Sequence, residues 1–499
     1  MNKAYTLGLD LGTSELKALL MGPDGEVVAT GHAPLSCQSP HPGWSEQDPA
    51  SWWQAALAAC AQLRRRQPEA YAAVRAIGLS GQMHGATVLD VQQRVLRPCI
   101  LWNDGRSEAQ CAALTARGPE LHALAGNLAM PGFTAPKLMW LSEHEPALFG
   151  QIASVLLPKD YLRLQLTGEA VSDMSDAAGT LWLDVARRDW SDLLLQASGM
   201  RREQMPRLVE GSAVSGTLTA SAAQALGLAA GLPVAGGAGD NAASAIGIGA
   251  VRPGDSFLSL GTSGVLFSVT ERHRPNTAQA VHAFCHALPG VWHQMTVMLS
   301  AASALRWITQ TTGQADETTL LAAVAQLSAA ERASAPIFLP YLSGERTPHN
   351  STAASGAFIG LRHSHHAAHL AYSVIDGVSL GMRDGLDALA AAGTHIDTLQ
   401  LVGGGSRSAL WAQLLADTLE VRVLTGDASS VGAALGAARL AQLALMGDGP
   451  DQIDAICRAP RTLSIREPHA AAVQTARRRQ QLYRDSFQGL HAVMHSAQA

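Results

Sequence analysis

No Cys-x-x-Cys occurs among the six cysteines, Cys37, Cys60, Cys99, Cys111, Cys285 and Cys457. That scatter argues against a zinc ribbon or a disulfide framework and fits a reducing compartment. No apolar run approaches the ~18 residues of a membrane span, and no charged leader with an apolar stretch and a small-residue cleavage site opens the chain. Long basic runs are missing as well. Net charge is -5, and Arg64-Arg65-Arg66 and Arg477-Arg478-Arg479 are the two basic clusters. Both read as solvated helix faces rather than a nucleic-acid patch. No Gly-x-x-x-x-Gly-Lys-[Ser/Thr] occurs, which excludes a P-loop enzyme. The expectation from these absences is a cytoplasmic protein without nucleic-acid or membrane partners.

The chain has 499 residues, 47% of them hydrophobic. Two domains are expected, because single cores stop growing well below that length. The chain's grammar runs twice. Tyr5–Leu11 reads as a strand, Gly12-Thr13-Ser14 as a turn, Leu16–Met21 as a returning strand, and Glu26–Thr30 as a third. Pro49–Gln62 reads as a helix capped by Asp48, with Pro49 at its first position. Ala76–Ser80 and Leu232–Ala235 are short strands, and a small-residue helix begins at Asp240. The second half restarts with the strand Ser256–Leu260, the turn Gly261-Thr262-Ser263-Gly264 and the strand Val265–Val269. Later Leu399–Val402 runs into Gly403-Gly404-Gly405-Ser406 and a helix over Ser408–Thr418. The boundary is expected near Ala245–Val251, with Gly247-Ile248-Gly249 as a hinge, giving domains 1–245 and 246–499. A terminal helix is expected over roughly Pro468–Ala499.

Each Gly-Thr-Ser turn is by itself ordinary hairpin chemistry. Two at corresponding places suit a nucleotide clamped between similar domains, because such turns offer backbone N–H groups and hydroxyls to phosphate. Asp10 in the first copy is an acceptor for Mg²⁺; Ser259 stands in its place in the second. Asp240 reads either as a helix N-cap or as a carboxylate held ready to take a hydroxyl proton. Gly237-Ala238-Gly239-x-x-Ala242 resembles a dinucleotide fingerprint, but its position and surroundings make it a decoy. His84, in "SGQMHGAT", is either a structural histidine or a ligand at a strand end. "ILWNDGRS" gathers Trp102, Asn103 and Asp104, a mixture that suits a polyol as well as an ordinary polar loop. His363, His365 and His366 lack the spacing of a metal site and read as a solvated loop.

Taken together, these segments resemble the FGGY carbohydrate kinases over nearly the whole chain, from "LGLDLGTS" to about Gly436. "GFTAPKLMWLSEH" (Gly132–His144) and "GAFIGLRHSHHAAHLAYSVIDG" (Gly356–Gly377) match the family's signatures. "WSEQDP", "GQMHGAT", "LWNDGR", "LPKDYLR", "SDMSDAAGT" and "PYLSGERTPHN" look like segments of its D-xylulose-phosphorylating branch. The resemblance implies an α/β fold of two actin-like (ribonuclease-H-like) ATPase domains with an interdomain cleft. It implies ATP and Mg²⁺ as cofactors, D-xylulose as the sugar, and a homodimer as a compatible assembly. Asp240 would be the catalytic base. Met83, His84 and Asn241 would bind sugar, with Trp102, Asn103 and Asp104 alongside. Asp10 would act near Mg²⁺, while Thr13, Gly261, Thr262, Gly404, Gly405 and Ser408 would meet ATP. The rivals are a kinase for another ketose or polyol, an actin-like ATPase without a sugar, and a dinucleotide-dependent oxidoreductase.

Overall fold

The apolar stretch Tyr5–Leu11 forms β1, and the Gly-Thr-Ser turn returns the chain as β2 (Glu15–Met21) and then β3 (Val27–Pro34). Helix α1 (Pro49–Arg66) follows, and the Asp48 carboxylate accepts the Ala50 N–H at 3.0 Å, as its capping position requires. Strand β4 (Val74–Gly81) then lies parallel to β1, and β5 (Pro233–Ala235) lies parallel to β4. Helix α2 (Asp240–Ile248) leaves the end of this row. The sheet order is Val214–Thr217, β5, β4, β1, β2, β3. Most residues of β1, β2 and β4 are buried, as strands covered on both faces must be. The structure is a computed structural model that describes residues 4–427 and 432–496.

The second half repeats this plan. Strands β6 (Ser256–Leu260), β7 (Gly264–Thr270) and β8 (Trp292–Met298) form the antiparallel trio. Strand β9 (Thr398–Val402) pairs parallel to β6, and α3 (Ala409–Leu419) follows it. Strand β10 (Arg422–Gly426) then pairs parallel to β9, and α4 (Ala433–Met446) follows. His282–Cys285 and Thr462–Arg466 close the two edges of this sheet. Position for position, β6, β7, β8, β9 and β10 match β1, β2, β3, β4 and β5.

The two sheets meet through α2 and α4, which cross at very close range. A Cβ on Gly436 of α4 would lie 1.8 Å from the Ala243 carbonyl of α2. Although α4 comes late in the chain, it packs on the first sheet. A Cβ on Gly8 of β1 would lie 2.1 Å from the Ala434 oxygen, and one on Gly78 of β4 would lie 1.8 Å from the Ala437 oxygen. Only glycine permits that approach of helix backbone to strand backbone. Gly247, expected in a hinge, instead lies inside α2, where a Cβ would meet the Gly432 oxygen at 2.4 Å. The helix ends at the next residue, Ile248, and Gly249 caps it in the left-handed region (φ 83°).

The terminal helix forms over Ala470–Ser496; residues 497–499 lie outside the described residues. Its expected basic face is corrected at one position. Arg477 and Arg478 are exposed, but Arg479 is buried. Its guanidinium donates to Asp376 Oδ2 at 2.7 Å and to the Ala335 and Pro336 carbonyls. Arg64, Arg65 and Arg66 are all exposed, and His363 and His366 stand on an exposed loop, both as expected.

Candidate active site

Asp10 is the next-to-last residue of β1, opposite Lys17 on β2 and Ser80 on β4. Ala238 and Gly239 pair with Ser80 and Gly81, so the row that holds Asp10 leads directly to Asp240. The N-cap reading of Asp240 is displaced by one residue. Gly239 is the cap, and Asp240 is the first residue of α2. Its Oδ1 accepts the Asn241 N–H at 2.8 Å and the Asn241 Nδ2 at 3.1 Å. Burial pushes the Asp10 carboxyl up to about 6, while Ser80 and Lys17 oppose the shift. Burial also pushes Asp240 up to about 6, and the nearby Asp10 charge adds to it. Two buried carboxylates with raised proton affinity, one of them raised further by the other's charge, are a hard oxygen donor set for a divalent cation.

The first turn is braced from three sides. Thr13 Oγ1 donates to Gln82 Oε1 at 2.9 Å and accepts the Trp102 indole N–H at 2.9 Å. Its carbonyl accepts Gln47 Nε2 at 2.6 Å, and Gln82 Nε2 donates to Gln47 Oε1 at 3.0 Å. The Thr13 hydroxyl, expected to meet ATP, is thus committed to holding the turn. Trp102 spends its N–H here and leaves its ring 45% exposed. Asn103 beside it is exposed. Asp104 is corrected from sugar ligand to support: it is buried and accepts the Ser45 N–H at 2.6 Å. Arg106 forks onto its two oxygens at 2.8 and 2.7 Å.

Met83 and His84 sit on a loop that packs against the Asp240 turn. A Cβ on Gly239 would meet Met83 Cγ at 2.8 Å. His84 adopts a left-handed backbone (φ 69°), and its Nδ1 lies 2.6 Å from the Gly179 carbonyl. A carbonyl only accepts, so Nδ1 carries the proton and Nε2 keeps its lone pair. Burial holds this imidazole neutral by pushing it down to about 3. Lys137 secures the loop through the His84 carbonyl at 3.0 Å and the Gly132 carbonyl at 2.7 Å. From the second half, Phe284 stands 6.5 Å from the His84 ring, and Arg346 sets its positive charge against both His84 and His282. Gln47, Gln82, Gly179 and Arg346 were not singled out from sequence. Their partners lie far away along the chain, and no local spacing signals them.

Gly261 and Thr262 form the matching turn of the second half. Gly261 N–H donates to Ser263 O at 3.0 Å. The Thr262 carbonyl accepts Ala301 N–H at 3.0 Å and Ser303 Oγ at 2.8 Å, and Thr262 and Ser263 stay exposed. Nearby opens a cavity of about 480 Å³ that Gly404, Gly405 and Ser408 line, with Leu305, Leu321 and Trp411. Gly405 is required here: a Cβ would lie 2.8 Å from that of Leu260. A cavity of this size, with apolar walls edged by glycine backbone, a hydroxyl and the charged Arg306, Glu317 and Arg407, suits a nucleoside.

The model for the N-terminal domain of the FGGY family of carbohydrate kinases matches residues 5–247, and that for its C-terminal domain matches 257–445. The chain is 53% identical over 439 residues to the xylulose kinase of Escherichia coli (strain K12), covering 88% of this chain and 90% of that protein. Among solved structures, a xyloylose kinase from Brucella ovis superposes with a TM-score of 0.93 at 49% identity, over 98% of this chain and 99% of that one. The xylulose kinase from Rhodospirillum rubrum gives 0.90 at 32% identity, over 98% and 100%.

Proposed function

The chain belongs to the FGGY family of carbohydrate kinases, and from that membership we propose how its residues do the work. It uses ATP to phosphorylate D-xylulose, giving D-xylulose 5-phosphate and ADP. One observation carries the reading: Asp240 stands at a helix start between the Met83–His84 loop and Asp10. A carboxyl near 6 there is ionised at neutral pH yet basic enough to take a hydroxyl proton.

In this reading the half before residue 246 holds sugar and base, and the half after it holds nucleotide. His84 Nε2 accepts a sugar hydroxyl, Asn241 and Asn103 offer amide groups, and the open Trp102 ring covers a face of the sugar. Asp240 takes the proton of the C5 hydroxyl as that oxygen attacks the γ-phosphorus in line. The adenosine lies in the cavity beside Gly404, Gly405 and Ser408, and its phosphates run toward the N–H groups and hydroxyls of the Gly261–Thr262 turn. The Gly12–Thr13 turn faces the γ end. Positioning and fixed dipoles supply most of the rate. Asp10 would hold Mg²⁺, because its repulsion with Asp240 is what a cation between them relieves. The ion, when bound, supplies charge neutralisation on the phosphates. Closure of the halves about α2 and α4 excludes water.

We take the cytoplasm, where ATP is held, as the enzyme's compartment and a homodimer as its assembly; light scattering checks the latter. No step of this reading involves nucleic acid or membrane. ADP release over a panel of ketoses and polyols tests the substrate. D-xylulose is expected to give the highest kcat/KM, and a tenfold higher value for another sugar (about 1.4 kcal/mol) would reassign it.

A further inference from the structure

Behind the turn that carries Asp240 lies a cage of five fully buried charges. Lys159 Nζ stands 2.5 Å from Asp160 Oδ1, 2.8 Å from Asp173 Oδ1 and 3.2 Å from Asp176 Oδ2. Arg163 stands 3.6 Å from Asp160 Oδ1. The three carboxylates converge closely enough to hold a cation, and the Lys159 ammonium already stands among them. Burying such groups costs about as much as their attraction returns, so stability alone is a weak reason for keeping them. Three acids against two cations leave one excess negative charge. Burial and the neighbouring Asp160 and Asp173 charges drive the Asp176 carboxyl well above the ordinary carboxylate range, while Lys159 opposes the rise.

Two arms leave this cage, and both end on the backbone that leads to Asp240. Arg163 donates to the Ala235 carbonyl at 2.7 Å and to the Gly236 carbonyl. It also donates to Ser215 Oγ at 2.5 Å, and Ser215 in turn donates to Val234 O at 2.8 Å. The second arm runs through Ser175. Asp173 Oδ2 accepts Ser175 N–H at 2.8 Å and Ser175 Oγ at 2.5 Å. Ser175 Oγ itself accepts the Gly239 N–H at 3.2 Å, one residue before Asp240. The turn Gly236-Gly237-Ala238-Gly239 has no side chain beyond a methyl with which to fix itself, and Gly237 adopts φ 74°. Its rigidity has to come from neighbours.

We propose that Lys159, Asp160, Arg163, Asp173 and Asp176 form a positioning network that acts through Arg163 and Ser175 to aim the Asp240 carboxylate at the acceptor hydroxyl. The network touches neither sugar nor nucleotide. It therefore governs turnover rather than affinity, because a carboxylate misplaced by about 1 Å costs up to about 100-fold in rate. The inference rests on Asp240 being the base.

The test uses the full-length enzyme and the Ser175→Ala variant, which removes one arm and leaves every charge in place. Expected is a loss of about tenfold or more in kcat. KM for D-xylulose and for ATP, sugar affinity by tryptophan fluorescence, and the thermal midpoint should stay near wild type. A folded Ser175→Ala enzyme with wild-type kcat, or one whose loss falls on KM, overturns the proposal. Lys159→Met breaks the cage itself; should it fail to fold, Ser175→Ala still decides. Asp240→Asn run alongside separates the two readings. If it keeps wild-type turnover, the base assignment fails; if it is inactive while Ser175→Ala is normal, the positioning network alone fails.

Discussion

The turn between β1 and β2 and the turn between β6 and β7 hold the same place in two matching sheets, and both read Gly-Thr-Ser. Their surroundings differ. In the first, Asp10 sits opposite Lys17 and Ser80, and Asp240 follows from the same row. The Thr13 hydroxyl is tied to Gln82 and Trp102. In the second, Ser259 sits opposite Val265 and Val402. Thr262 is tied through its carbonyl, its side chain is exposed, and a cavity opens nearby. A duplicated scaffold thus supplies two turns that suit phosphate. In the proposed reading, one acid on a strand and one at a helix start make the first the reacting half, and the open cavity leaves the second to hold nucleotide.

The contrast breaks most severely at Asp240. Asp240→Asn is expected to lose about 10³-fold in kcat while binding D-xylulose normally, measured by ADP release and fluorescence titration. Next comes Asp10→Ser, which makes the first turn a copy of the second. It should cost about 10²-fold in kcat and raise the Mg²⁺ concentration needed for half-maximal rate, read from a metal titration. The reverse change, Ser259→Asp, sets a negative charge beside the phosphates. It should raise KM for ATP about tenfold and leave KM for the sugar unchanged.

Smaller effects concern protons. A base must be ionised, so kcat/KM should rise with pH through about 6, where the buried Asp240 carboxyl titrates. The same shift has a sign for stability. A carboxyl raised from 3.8 to about 6 favours folding at low pH, and that contribution is lost as pH rises through 6. Asp240→Asn removes the cost of the buried charge. It should stabilise the fold by up to about 3 kcal/mol near pH 8, and the gain should vanish below about pH 4, measured by denaturant unfolding.

Much of this was legible along the chain. Apolar strands around each Gly-Thr-Ser turn, Asp48 before Pro49, and Ser408 before its helix are local patterns, and the structure follows them with small changes at the ends. The rest depends on partners distant in sequence. Asp104 looked like a sugar ligand because its partner Ser45 lies 59 residues away, and the neighbouring Arg106 does not by itself show that both oxygens are claimed. Arg479 looked solvated because its partner Asp376 lies 103 residues away. Nothing in the sequence reading placed α4, whose small residues pack on Gly8 and Gly78 of the opposite half. Gly247 was read as a hinge for the same reason: glycine permits both bending and close approach, and sequence does not say which.

The asymmetry between the two turns is tested most directly by locating the metal. A crystal of the enzyme with Mn²⁺ and a non-hydrolysable ATP analogue gives its position by anomalous scattering. A peak within about 5 Å of the Asp10 carboxylate, directly bound or bridged by water, with the γ-phosphate between the two turns, is the expected result. A peak beside Ser259 and remote from Asp10 would contradict the division of labour between the two halves.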